Sequence, residues 1–355
     1  MNSRSKGFLK KLVNSISPSG YEDEAAALWQ AEAGKFADEV KRDAHGNTVA
    51  VVNPGGKVRV MFAGHCDEIG FLITHIDNDG FLWIAPIGGW DPQIAQGQRV
   101  WVRGKRGRVP GVIGKKPIHL LKDEARKRVV QVEELWVDLG VKDKKAAEQL
   151  VSIGDPLVLA HEYQELQGEI VVGRGMDDRA GAFVVLEAAR LLSELKPQAA
   201  IYAVATVQEE IGLRGATTSA YAINPQVGIA VDVTFATDHP SIEDSVKQEG
   251  AVKIGGGPVV TRGPNVNAKV FDLLTDTAKK QKIPVQIVAE PKGTGTDANA
   301  MQLSRAGVAA GLVSIPNRYM HSPCELVSLK DLEGCARLLA ETAARITAKT
   351  NFIPF

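Results

Sequence analysis

The hydrophobic positions of this chain change period several times, and each change marks a different kind of element. Between residues 5 and 35 they recur at helical spacing. Leu9, Leu12 and Val13 share one face of a first helix, and Tyr21-Glu-Asp-Glu24 opens a second after a break at Ser17-Pro-Ser-Gly20. Short apolar runs then predict strands over 39–42, 48–52 and 58–63, with Gly55-Gly56 as a hairpin turn between the last two. From about residue 69 to 168 the runs shorten and alternate (71–76, 81–84, 98–103, 109–113), punctuated by Asn78-Asp-Gly80, Gly88-Gly89 and Gly114. That spacing predicts a small β-rich barrel or sandwich, with one helix over 142–150.

An α/β rhythm resumes at 169. Strand-like runs at 169–172, 199–206, 227–231, 284–289 and 308–315 alternate with helical stretches at 180–195, 216–221, 268–282, about 296–305 and about 329–347. Thr296 or Asp297 serves as an N-cap. The expected fold class is therefore α/β, with one unit built from 1–68 and 169–355 and interrupted by a β-rich insert over 69–168.

Composition narrows the partners. Hydrophobic residues make up 44% and charged residues 24%, the balance of a soluble protein with a substantial core. Lys+Arg and Asp+Glu both number 42, so bulk charge predicts no polyanionic partner. The segment 99–128 is locally basic but lacks the aromatic interleaving or motif of a nucleic-acid groove, and reads as a solvated or subunit-contact face. No apolar run reaches the roughly 18 residues needed to span a bilayer. The first residues lead into an amphipathic helix rather than a signal peptide. Cys66, Cys324 and Cys335 show no CxxC spacing, which argues against a disulfide framework and for a cytoplasmic protein, with Cys66 a core residue.

The chemistry gathers at the ends of apolar runs. One run ends in Gly64-His65-Cys66-Asp67, where His65 and Asp67 point the same way on an extended segment, as a metal ligand and its orienting carboxylate would. Others run into Asp177-Asp178, Glu209-Glu210 and Asp232, and the run at 308–315 is followed by His321. Two imidazoles and three carboxylates (His65, Asp177, Glu210, Asp232, His321) suit zinc, cobalt or manganese, and are enough for two ions with one carboxylate bridging. Two dications against three carboxylates and a bridging hydroxide make a neutral cluster, and that hydroxide is the nucleophile of two-metal hydrolases. Glu209 and Glu210, adjacent on extended chain, face opposite ways, so one can ligate while the other handles a proton.

In these stretches the chain resembles the tetrahedral aminopeptidase family, the glutamyl and deblocking aminopeptidases of the co-catalytic di-zinc clan. The matching segments are Gly64-His-Cys-Asp-Glu-Ile-Gly70, Gly175-Met-Asp-Asp-Arg-Ala-Gly181, Gln208-Glu-Glu-Ile-Gly212, Val231-Asp-Val233, Gly295-Thr-Asp297 and Arg318-Tyr-Met-His-Ser-Pro323, in the family's order. The resemblance implies a mixed-sheet, phosphorylase/hydrolase-like peptidase domain with an inserted β-rich dimerisation domain. It implies a metal-dependent aminopeptidase acting on short peptides, carrying two divalent ions per subunit, zinc or cobalt first. His65 and Asp232 would hold one ion, Glu210 and His321 the other, and Asp177 would bridge. Glu209 would be the general base and acid, Asp67 would orient His65, and the Asp177–Asp178 peptide would be cis. Dimers building a homododecameric shell are implied as well, with no nucleic-acid or membrane partner. Gly111-Val-Ile-Gly-Lys-Lys-Pro-Ile-His119 also resembles a family stretch, His119 reading as structural. Arg262 and Lys292 are cations whose loops could favour acidic N-terminal residues. Two other readings compete: a cellulase-type glycoside hydrolase, disfavoured by imidazoles among the ligands, and a non-catalytic metal-stabilised scaffold, disfavoured by an uncommitted Glu209.

Overall fold

The computed structural model describes residues 1–354. Strands in chain order are β1 (Glu39–Arg42), β2 (Thr48–Val52), β3 (Arg59–His65), β4 (Gly70–Ile76), β5 (Leu82–Ile87), β6 (Arg99–Gly104), β7 (Gly107–Gly114), β8 (Trp136–Asp138), β9 (Pro156–Leu159), β10 (Gln164–Glu165), β11 (Ile170–Gly173), β12 (Ala200–Thr206), β13 (Val227–Phe235), β14 (Val259–Arg262), β15 (Gln286–Ala289), β16 (Ala309–Asn317) and β17 (Glu325–Ser328). They form a mixed eight-stranded sheet ordered β1-β2-β12-β3-β13-β16-β14-β15, a closed six-stranded barrel β4-β5-β8-β7-β6-β9, and a small sheet β10-β11-β17.

The centre of the large sheet explains its sequence. β12, β3, β13 and β16 are mutually parallel neighbours, and most of their residues are buried, as their near-continuous apolar runs require. Helices Met176–Leu195 and Leu329–Ala344 cover one face, packing Phe183, Leu186, Leu332 and Leu339 into a core shared with Phe62, Ile201 and Ile229. Helices Arg214–Ile223 and Asp297–Gln302 cover the other, where Ala216, Ala220 and Met301 meet Met61, Val204 and Leu312. With four strands parallel, their carboxyl ends open on one edge, where open α/β sheets bind ligands.

The barrel is antiparallel throughout, and its alternating inward residues (Phe71, Ile73, Leu82, Ile84, Val100, Val102, Val137, Leu157) make a separate core. Between the sandwich and barrel alternatives, closure is what the structure adopts. The basic residues of the excursion between β7 and β8 are largely exposed, and His119 sits exposed on the turn Ile118–Leu120.

Some expectations fail for topological reasons. Gly55-Gly56 does not close a hairpin, because β12 lies between β2 and β3. Gly56 instead lets the chain pass tightly over Ala199–Ala200, where any Cβ would strike backbone. The actual hairpin is β1–β2. β13 continues past Asp232 to Phe235, paired with β16 throughout. The helix after Thr296 stops at Gln302. The run preceding Asp177, β11, belongs to the small antiparallel sheet rather than to the large one.

A candidate two-cation centre at the carboxyl edge of the sheet

Four central strands deliver side chains to one place: His65 is the last residue of β3, Glu209 and Glu210 follow β12, Asp232 lies near the end of β13, and His321 follows β16. Asp177 arrives from the side, at the start of helix Met176–Leu195, where it and Asp178 depart from helical geometry and their shared peptide is cis.

Asp177 is the centre of the group. Its Oδ1 lies 3.1 Å from His65 Nε2 and its Oδ2 lies 3.3 Å from His321 Nε2, so one carboxylate presents an oxygen to each imidazole. Glu210 Oε2 stands 3.5 Å from His321 Nε2, and Glu209 Oε2 stands 3.8 Å from His65 Nε2. Ligand atoms of His65, Asp177 and Glu210 fall within 4.8 Å of one another, as do those of His65, Asp178 and Asp232. The side chains of Asp177, Glu209 and Glu210 are at least nine-tenths buried, and no Lys or Arg lines the adjoining cavity.

Such crowding is electrostatically expensive for protein alone. Burial, with Asp177, pushes Asp232 up to about 8 against the pull of His65. Burial and the charges of Asp232, Asp297 and Asp67 push Glu209 up to about 10, again opposed by His65. Burial and Asp177 raise Glu210 well above the carboxylate range. Burial would lower His65, but Glu209, Asp177 and Asp67 outweigh it and hold it well above the usual imidazole value. Asp177 itself is lowered: burial is overcome by hydrogen bonding to His321 and His65. Buried carboxylates that repel one another while converging with two imidazole nitrogens form a mixed N/O set that cations would relieve, and the residues present fit divalent metal ions.

Two buried carboxylates hold this arrangement from behind. Asp67 places its backbone carbonyl oxygen 3.3 Å and its Oδ1 3.4 Å from His65 Nδ1, which leaves Nε2 for the centre. Its oxygens also accept the backbone N–H groups of Glu209 (3.1 Å) and Glu210 (3.2 Å) and the Ser19 hydroxyl (2.6 Å). Glu325, on β17, accepts the N–H of Asp177 at 3.0 Å and of His321 at 2.9 Å. Asp178 faces inward: Oδ2 accepts the His65 N–H at 3.2 Å and Oδ1 the Gly181 N–H at 3.0 Å. Gly64 and Gly181 are required there, since a Cβ at either would collide with the Gly181 backbone or the Asp178 carboxylate.

Glu325 was not legible in sequence, and its only signal is a lone acid in an otherwise apolar strand four residues after His321. Cys66 is buried and free, as a core residue should be. Thr296 is the N-cap, accepting from Ala298 N–H, while Asp297 is buried against the Thr206 hydroxyl at 2.6 Å. Arg262 lies over the Phe271 ring at 5.5 Å, and neither it nor Lys292 lines the cavity beside the centre. That cavity, about 450 Å³, is lined by Asp177, Glu209, Glu210, Asp232 and His321 together with Phe235, Glu249, Thr294, Glu290 and Met320.

Residues 46–338 match the M42 glutamyl aminopeptidase family. A lysyl aminopeptidase of Pyrococcus furiosus is 40% identical over 336 residues, covering 93% of this chain and 94% of that protein. A TET aminopeptidase from the marine sediment archaeon Thaumarchaeota archaeon SCGC AB-539-E09 superposes with a TM-score of 0.92 at 35% identity, covering 97% of each chain. The Pyrococcus horikoshii TET1 peptidase, which can assemble into a tetrahedron or a large octahedral shell, superposes with a TM-score of 0.84 at 33% identity, covering 96% of this chain and all of that one (100%).

Proposed function

The chain belongs to the M42 glutamyl aminopeptidase family, and on that premise we propose that it removes N-terminal residues from short peptides with two divalent cations, zinc or cobalt, held by His65, Asp177, Glu210, Asp232 and His321. The observation that carries the proposal is the placement of the two Asp177 oxygens, one toward each imidazole. His65 and Asp232 would hold one cation and Glu210 and His321 the other, with Asp177 shared between them. When bound, the cations supply Lewis acidity and lower the pKa of the attacking water. Glu209, left outside the ligand set, would take the proton from that water and pass it to the leaving amine. Asp67 fixes the tautomer of His65 through Nδ1 and fixes Glu209 and Glu210 through their backbones.

The cavity supports a side-chain preference. Its lining includes Glu249 and Glu290 with no Lys or Arg, and Phe235, half exposed, offers an apolar flank. An N-terminal lysine or arginine places its aliphatic stem along Phe235 and its charge toward the two glutamates. The cytoplasm, the units 1–68 plus 169–355 and 69–168 as catalytic and dimerising parts, and assembly of dimers into a dodecamer complete the reading. The assembly is motivated by the shells of the Pyrococcus horikoshii relative.

Stripping the protein with a chelator should abolish hydrolysis of aminoacyl anilides, and zinc or cobalt should restore it; activity indifferent to metal refutes the reading. A cellulosic substrate should stay intact throughout. Replacing Glu249 and Glu290 together by Gln should raise KM for lysyl anilide while leaving leucyl anilide unchanged; an equal effect on both would mean the glutamates recognise the terminal ammonium instead.

A further inference from the structure

Glu325 does not line the cavity beside the centre, yet it joins two of the residues proposed to hold the cations. It is 2% exposed and sits on β17, opposite Gly173 of β11 in an antiparallel pair. Leu326 and Arg318 exchange both backbone hydrogen bonds at 3.1 Å, so the strand is pinned on both sides. From that fixed base the Glu325 side chain gives one oxygen to the Asp177 N–H and the other to the His321 N–H. Asp177 lies 148 residues away in sequence and follows a different sheet strand, so no local turn can set its distance from His321.

The loop bearing His321 does not hold itself in place. Tyr319 and His321 both adopt left-handed backbone geometry (φ 63° and 58°), which residues with a Cβ rarely enter unaided. His321 is also the more exposed imidazole, its side chain 36% accessible against 2% for His65. His65 is tied by Asp67 at its ring and by Asp178 at its backbone, whereas the backbone tether of His321 is Glu325.

We propose that Glu325 is a positioning residue that sets the separation between the bridging Asp177 and the second-cation ligand His321, and so governs occupancy of the cation held by Glu210 and His321. The inference rests on the two-cation reading given above. A carboxylate is required because both partners are donors. Gln keeps an acceptor for one N–H and turns its amide toward the other, and Asp, one methylene shorter, cannot span both.

The test uses the full-length protein, freed of metal and titrated with Zn²⁺ against a chromophoric chelator, and with Co²⁺ followed by its visible absorption. Wild type should bind two ions. Glu325→Gln and Glu325→Asp should bind one ion nearly as wild type does and the other about 10–100-fold more weakly, as loss of a ligand-orienting partner does. The Co²⁺ spectrum of the weak site should change, and kcat should recover as metal is raised. Two unchanged affinities and an unchanged Co²⁺ spectrum in both variants overturn the inference, even if melting temperature falls, because a merely structural carboxylate predicts that result. Equal weakening of both ions overturns it too. If one variant does not fold, the other decides; if neither folds, Glu325 is a folding residue and the assignment fails. A wild type that binds fewer than two ions defeats the two-cation reading itself, which is a separate outcome.

Discussion

Replacing Glu209 by Gln removes a group able to take up a proton while keeping the size of the side chain. On the proposed reading this residue stands beside the ligand set rather than in it. Glu209 Oε2 is 3.8 Å from His65 Nε2, against 3.1 Å for Asp177 Oδ1. Its backbone is held by Asp67 whatever the side chain becomes. Metal binding should therefore survive while the proton path is lost. A positioned general base is worth about 10²–10⁴-fold. At about 1.4 kcal/mol per decade, kcat should fall by the equivalent of about 3–5 kcal/mol with KM little changed. The assay is steady-state hydrolysis of lysyl anilide at saturating cobalt, paired with elemental analysis of bound metal. Wild-type kcat, or a variant empty of metal, would refute the assignment.

Three other outcomes follow. Asp177→Asn leaves a single oxygen where each imidazole now faces its own, so elemental analysis should find both ions depleted and activity lost. Asp178→Asn should keep both ions but melt earlier, by about 1–3 kcal/mol in a denaturant titration, because an amide cannot accept from both His65 and Gly181. In chelated protein, Asp232 and Glu209 retain protons when folded that they release on unfolding, so stability should fall as pH rises from about 5 toward about 8. The raised His65 and His321 act in the same direction, their contribution being present at low pH and lost as pH rises through their folded values, while the lowered Asp67 and Asp177 are already fully ionised across that window. Thermal melts with and without chelator check this, and a chelated melting temperature that climbs with pH contradicts it.

Much of the centre was legible because buried parallel strands announce themselves. A run such as Ala199–Thr206 has no polar face, and where it stops, the first polar residues must stand at the sheet edge. His65, Glu209, Glu210, Asp232 and His321 were readable in that way, and the alternating runs after residue 69 announced a second core in the same manner. Asp177 was readable as chemistry but misplaced in topology, since its strand pairs with β17 in the small sheet.

Local pattern carries the period of each element, its ends, and the residue types that fall at those ends, because these depend on neighbours a few positions away. The chain by itself thus determined an α/β frame, a β-rich excursion and a set of nitrogen and oxygen donors. Which strand lies beside which depends on pairings across more than a hundred residues, as with β12 passing between β2 and β3. The spacing of the donors depends on them too. Asp67 and Glu325 act on the backbone N–H groups of residues far along the chain, and every residue but proline presents such a group, so sequence gives no mark of which one a buried carboxylate will hold. Only the tertiary structure decided that the two oxygens of Asp177 would face two different imidazoles, because that distance is set by the packing of separate elements.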